Sequence, residues 1–180
     1  MSEPIPTEIS IGDTIRADQV PGLCKAIADE CVSLEWGDAY LRPETAEDLL
    51  AACQQFDGVR LLWLCNDQAN YGRFDVLEGF LEREKISFRH KSDARFDFDA
   101  EVVEYRPDVG HVCYASDNSG QPLIPLKTMT SIAEAVDEAA NTAEGQTALE
   151  LLRRLRNIQQ LMHETMPVVP PPLELFEIVG

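Results

Sequence analysis

The chain has 180 residues, with 32 Asp or Glu against 15 Lys or Arg, a formal net charge of −17 and a hydrophobic share of 44%. That share excludes wholesale disorder and the length suits one domain with at most a small appendage; Leu61 to Cys65, five apolar residues in a row, falls far short of the ~20 that a membrane-spanning helix needs. Acids outnumber bases by 11 to 3 in residues 1–50, 9 to 7 in 51–100 and 9 to 2 in 101–150. The acidity therefore belongs to a folded surface, which repels nucleic acid and anionic membranes and attracts a basic protein.

Glu3, Glu8 and Asp13 precede the first basic residue, Arg16, unlike the cationic and apolar start of a secretory signal, and this predicts a cytoplasmic location. From Glu8 to Ile15, Ile9, Ile11 and Ile15 fall among polar residues and predict a first strand, placed at a sheet edge. Asp18 is the expected cap of a helix running to about Val32, with Leu23, Ile27 and Cys31 on one face and Pro21 in its first turn. Ser33 to Leu41 reads as a strand interrupted at Gly37. Thr45 followed by Asp48 has the spacing of a capping box, and Leu49, Leu50, Cys53 and Phe56 supply the buried stripe of the helix it opens. Asp57-Gly58 then turns into Val59 to Cys65, an apolar run of the kind buried on both faces at the centre of a sheet. A polar loop over 66–72 leads to a helix from Arg73 to Lys85 built on Phe74, Leu77 and Leu81. Strand and helix alternate to this point, which predicts crossover connections and partly parallel pairing.

The pattern then changes. Ile86 to Lys91 and Arg95 to Tyr105 both alternate with period two and predict an antiparallel hairpin. Further strands are expected at His111 to Ala115 and Gln121 to Leu126, on either side of an Asp117-Asn118-Ser119-Gly120 turn. Thr128 to Ala143 and Thr147 to Thr165 read as two helices broken near Gly145; Pro167 and Pro170 to Pro172 stop the second, and Leu173 to Val179 is expected to dock in extended form. The fold class expected is α/β to α+β: a mixed β-sheet with crossover helices, an antiparallel hairpin extension and a C-terminal helical pair. The expected divisions are a mixed domain over 1–126, the helical pair over 127–166 and a Pro-rich tail over 167–180.

Three features carry functional expectations. Asp97, Asp99 and Glu101 alternate with Phe96, Phe98, Ala100 and Val102, which places three carboxylates in line on one strand face. Neighbours two apart sit roughly 7 Å from each other and repel unless basic groups lie opposite, so the row is either neutralised by Arg89 and Lys91 on the preceding strand or forms a ridge for a basic protein partner. A metal site needs carboxylates converging from several elements, and none is assigned. The second feature, Asn66, Asp67, Asn70 and Arg73, follows the carboxyl end of the presumed central strand, where open α/β sheets bind ligands, although it lacks a Gly-x-Gly-x-x-Gly or Walker pattern. The third is the last helix, in which Ala148, Leu151, Leu155, Ile158 and Met162 form a short heptad seam while Arg153, Arg154 and Arg156 make the one basic patch. That seam packs on the preceding helix or on a second copy of the chain.

No catalytic residue, metal or cofactor is assigned. His90, His111 and His163 have neither metal nor triad spacing, and Cys24, Cys31, Cys53, Cys65 and Cys113 include no Cys-x-x-Cys pair. Cys65 or Cys113 with His111 lacks a third group to orient it as nucleophile and base. The expected function is a non-enzymatic, acidic, cytoplasmic binding or regulatory protein, in its sharpest form a nucleic-acid-mimicking inhibitor of a basic partner, binding neither nucleic acid nor membrane directly. The alternatives are a small-molecule or metal-dependent enzyme with its site between the 66–72 loop and the 95–105 strand, and a structural subunit that forms a homodimer through the 147–165 helix.

Overall fold

The computed structural model describes residues 4–56, 58–95, 99–141 and 147–180. In chain order the elements are β1 (Pro4–Ile11), β2 (Thr14–Arg16), α1 (Val20–Glu30), α2 (Ala46–Ala52), β3 (Gln54–Phe56), β4 (Val59–Asn70), α3 (Asp75–Glu84), β5 (Phe88–Ser92), β6 (Glu101–Arg106), β7 (Gly110–Ala115), α4 (Leu126–Asn141), α5 (Ala148–Thr165) and β8 (Glu177–Val179). The chain divides into a larger unit, residues up to 121 together with 170–180, and a smaller one, 122–169.

The larger unit is α+β. Its six-stranded sheet has the order β3-β4-β1-β5-β6-β7, and every pairing within it is antiparallel. Parallel pairing is confined to a second sheet of two strands, β2 and β8. β1 is not the expected edge strand: it pairs with β4 on one side and β5 on the other, and Ile9 and Ile11 are fully buried. Ile9, Leu64, His90 and Val103 stand in register across four strands, as do Ile11, Leu62, Phe88 and Tyr105. This face carries the core, filled by Leu23 and Ile27 of α1 and Leu77 and Leu81 of α3, which pack against each other. The capping box that opens α2 is present in full, with Asp48 N–H on the Thr45 hydroxyl and the Asp48 carboxylate on the Thr45 N–H.

Residues 33–41 do not form the expected strand. Ser33 makes a single bridge to Cys65 on the edge of β4 beyond β3, and the chain then leaves that edge, so that Trp36 and Tyr40 stand exposed. Gln121 to Leu126 likewise contributes no strand. The tail docks in extended form, as expected. Phe176 is buried in the core, its N–H donates to the Arg60 carbonyl, and β8 pairs with β2. Gly12 permits this passage, since a Cβ there would collide with the Glu174 carbonyl.

The smaller unit is an antiparallel helical hairpin. Thr128, Ile132, Ala135 and Ala139 of α4, and Leu151, Arg154, Ile158 and Leu161 of α5, are the sheltered positions on each helix, and the Arg154 guanidinium lies 3.7 Å from Glu138. A full capping box, Thr147 with Glu150, starts α5.

Candidate functional site

The segment read as a ligand loop is mostly strand. β4 continues to Asn70, and the turn falls on Tyr71 and Gly72, both with positive φ. The Asn66 amide donates to the Cys31 carbonyl at 3.1 Å and accepts the Gln68 N–H, so it ties the strand to the end of α1. Asn66, Asn70 and Arg73 do line a cleft of about 380 Å³, together with Glu30, Tyr40 and Phe74, whereas Asp67 does not. The anion position of that cleft is already taken by the chain itself. Glu30 accepts the N–H groups of Val76 and Leu77, which would otherwise face an anion at the start of α3. Burial raises the Glu30 carboxyl above its ordinary range despite those two N–H groups, which pull it down. Arg73 is engaged as well, at 2.9 Å from Glu101.

The acidic row does not form as expected. Asp97 lies outside the described residues, Asp99 is exposed ahead of β6, and Glu101 opens that strand. Glu101 pairs in register with Ser92, whereas Lys91 pairs with Val102 and Arg89 with Glu104, so Glu101 points to the sheet face opposite Arg89 and Lys91. The two bases instead meet other acids: Arg89 lies 3.7 Å from Glu104, and Lys91 lies 3.7 Å from Glu8 and 3.9 Å from Asp93. Cys113 donates its thiol to Glu101 at 2.8 Å; desolvation and this carboxylate push it up to about 11, which leaves it a poor nucleophile at neutral pH. His111 faces Glu82 at 3.8 Å.

Two buried ionic groups escaped the sequence reading. On the face away from the helices, Glu104 takes the Arg106 guanidinium at 2.9 Å and the Tyr114 hydroxyl at 2.6 Å. Arg106 also donates to the carbonyls of Phe88 and Tyr105 and twice to that of Pro171, so one side chain joins β5, β6 and the tail. Arg89 reaches the Gly120 carbonyl beside this group, where a Cβ would strike the guanidinium. Burial, reinforced by Glu104, lifts the Tyr114 phenol to about 12, so it remains a hydrogen-bond donor. On the helix face, His90 Nδ1 is 3.0 Å from Glu78, whose carboxylate also accepts the Phe74 N–H. Burial works against charge on Glu78, but His90, the Phe74 N–H and Arg73 together hold its carboxyl below the ordinary value. The signal for the first group was present in the sequence: Glu104 and Arg106 alternate on one strand face, the period that keeps two side chains together.

The exposed acids with aromatic company lie elsewhere. Glu35, Asp38, Glu44 and Glu47 are exposed within thirteen residues that hold one base, Arg42. Among them Trp36 is 47% and Tyr40 53% exposed. Trp36 is anchored edge-on against Trp63, with ring centres 6.0 Å apart, and Trp63 in turn meets Phe56 at 6.3 Å. The aromatic and apolar residues over 33–41 have the composition of a strand, which hides this surface from sequence patterning. Of the basic residues on the last helix, Arg154 turns toward α4, while Arg153 and Arg156 are exposed.

Among the described residues, no three His, Cys, Asp or Glu side chains converge as metal ligands, and no helix is long and apolar enough to cross a membrane. No family model, curated protein or solved structure matches the chain.

Proposed function

We propose that the chain is a non-enzymatic, acidic binding or regulatory protein that takes a basic protein partner, with a nucleic-acid-binding protein as the sharpest class. The observation that carries this reading is the 35–47 segment, where four exposed carboxylates share thirteen residues with two exposed aromatic rings. Trp and Tyr are the anchors that protein interfaces favour, and their faces attract Lys and Arg when carboxylates stand nearby. The wider charge balance agrees with it. The larger unit holds 26 acidic and 11 basic residues, against 6 and 4 in the smaller. Arg16, Arg73, Arg83, Arg89, Lys91 and Arg106 of the larger unit are all engaged by its own carboxylates. Asp99 is exposed as well, and the row of Asp97, Asp99 and Glu101 is a second proposed contact, with Glu101 held by Arg73 and Cys113.

The test is retention of partners from the native cell extract at low and high salt. Screening shortens from about 10 Å at 0.1 M to about 3 Å at 1 M, so a basic partner held by exposed carboxylates is released as salt rises. Glu35→Gln, Asp38→Asn, Glu44→Gln and Glu47→Gln in combination should abolish that retention while leaving the melting temperature unchanged. Retention that is insensitive to salt and to these substitutions overturns the proposal.

A further inference from the structure

We propose that the helical hairpin of the smaller unit is half of a four-helix bundle completed by a second copy of the chain. The expected seam on α5 is split in the structure: Leu151 and Ile158 turn toward α4, but Leu155 is 52% and Met162 40% exposed. With Leu152 these two form a second stripe, each member one residue beyond a sheltered position. α4 repeats the arrangement, since Leu126, Met129 and Val136 are 81%, 47% and 46% exposed, and Met129 and Val136 each follow a sheltered position. One residue is a rotation of about 100° on a helix. Because the helices run antiparallel, the same step on each turns both stripes to the same side of the hairpin. The result is one continuous apolar face across two helices, where a surface helix of a finished fold has a single stripe.

Size and charge name the occupant. Helices of 16 and 18 residues are about 24 and 27 Å long, and two set about 10 Å apart present a face about 20 Å wide. A pair of such faces buries on the order of 1,000 Å², the lower bound for a specific interface, which suits a dimer of micromolar affinity. On the outer border of the α4 stripe stand Glu134 and Asp137, and on that of the α5 stripe Arg153 and Arg156. The Glu138–Arg154 contact makes the helices level at that point, so Asp137 and Glu134 bracket the height of Arg156. A two-fold axis along the hairpin lays α4 of one copy over α5 of the other and sets the acidic border on the basic border twice. The face is thus complementary to itself, as an isologous dimer requires.

Sedimentation velocity of the full chain from low to high micromolar concentration tests this. The expected result is a monomer–dimer equilibrium that Val136→Glu or Leu155→Glu weakens by about 30-fold or more, with helical circular dichroism unchanged because both positions are solvent-exposed in the monomer. Arg153→Glu with Arg156→Glu should weaken the dimer, and adding Glu134→Arg with Asp137→Arg should restore it. A chain that stays monomeric throughout, or a dimer indifferent to both Val136→Glu and Leu155→Glu, overturns the proposal and assigns the face to another occupant.

Discussion

Glu30 and Glu78 flank the start of α3, and their environments move their protons in opposite directions. Glu30 accepts N–H groups of α3 from the end of α1, and burial raises its carboxyl. The folded state therefore holds that proton more tightly than the unfolded chain does. This contribution to stability is complete below about pH 4.3, the unfolded carboxyl value, and fades as pH rises through the higher folded value. Glu78 has the reverse sign: its carboxyl is lowered, so its contribution is present above about pH 4.3 and disappears as pH falls through the folded value. Glu78→Gln should accordingly flatten the acid limb of stability against pH, and Glu30→Gln should steepen it, both read from denaturant unfolding between pH 3 and 7.

The Glu104–Arg106 pair belongs to the same scale. Both side chains are 5% exposed, and besides its bond to Glu104 Arg106 makes four hydrogen bonds, all to backbone carbonyls. Glu104→Leu leaves the guanidinium buried without its charge partner and should lower stability by about 3–5 kcal/mol, whereas Glu104→Leu with Arg106→Met should recover most of the loss. A double-variant loss equal to the sum of the Glu104→Leu and Arg106→Met losses would show that the charges act independently.

At the scale of elements, the tail decides more than its length suggests. Residues 170–180 return to the larger unit, seat Phe176 in the core and close the two-stranded sheet. Phe176→Ala should cost about 3–5 kcal/mol, measured by chemical denaturation, because a wholly enclosed aromatic leaves a cavity that the surrounding side chains fill only in part. A loss under 1 kcal/mol would mean that the tail contributes little to this core. The elements most legible beforehand were those with a local cause. Thr45 with Asp48 begins α2 through hydrogen bonds three residues apart, and the apolar run at Val59 to Cys65 becomes β4. Residues 33–41 have strand-forming composition but make only the Ser33–Cys65 bridge, since β propensity reflects packing on a sheet rather than an intrinsic backbone preference.

At the scale of the whole molecule, charge and apolar surface are divided between the two units. Most of the net charge lies in the larger unit, and the broad two-helix apolar face lies in the smaller. The proposed acidic surface for a basic partner and the proposed hairpin face for a second copy therefore lie in different units, each open to its own substitutions.

The sequence alone narrowed the class to α/β or α+β and determined the C-terminal helical pair, the extended tail and the acidity, because each rests on periodicity, capping or charge, which act over a few residues or by simple sum. Only the tertiary structure decided that the main sheet is wholly antiparallel with β1 inside it, that Glu101 points away from Arg89 and Lys91, and that Glu30 occupies the start of α3. Strand order and register depend on which distant segments pair, and a shift of one residue moves every side chain to the other face. The ion pairs followed that register, and so did the positions at which charge and aromatic rings reached the surface.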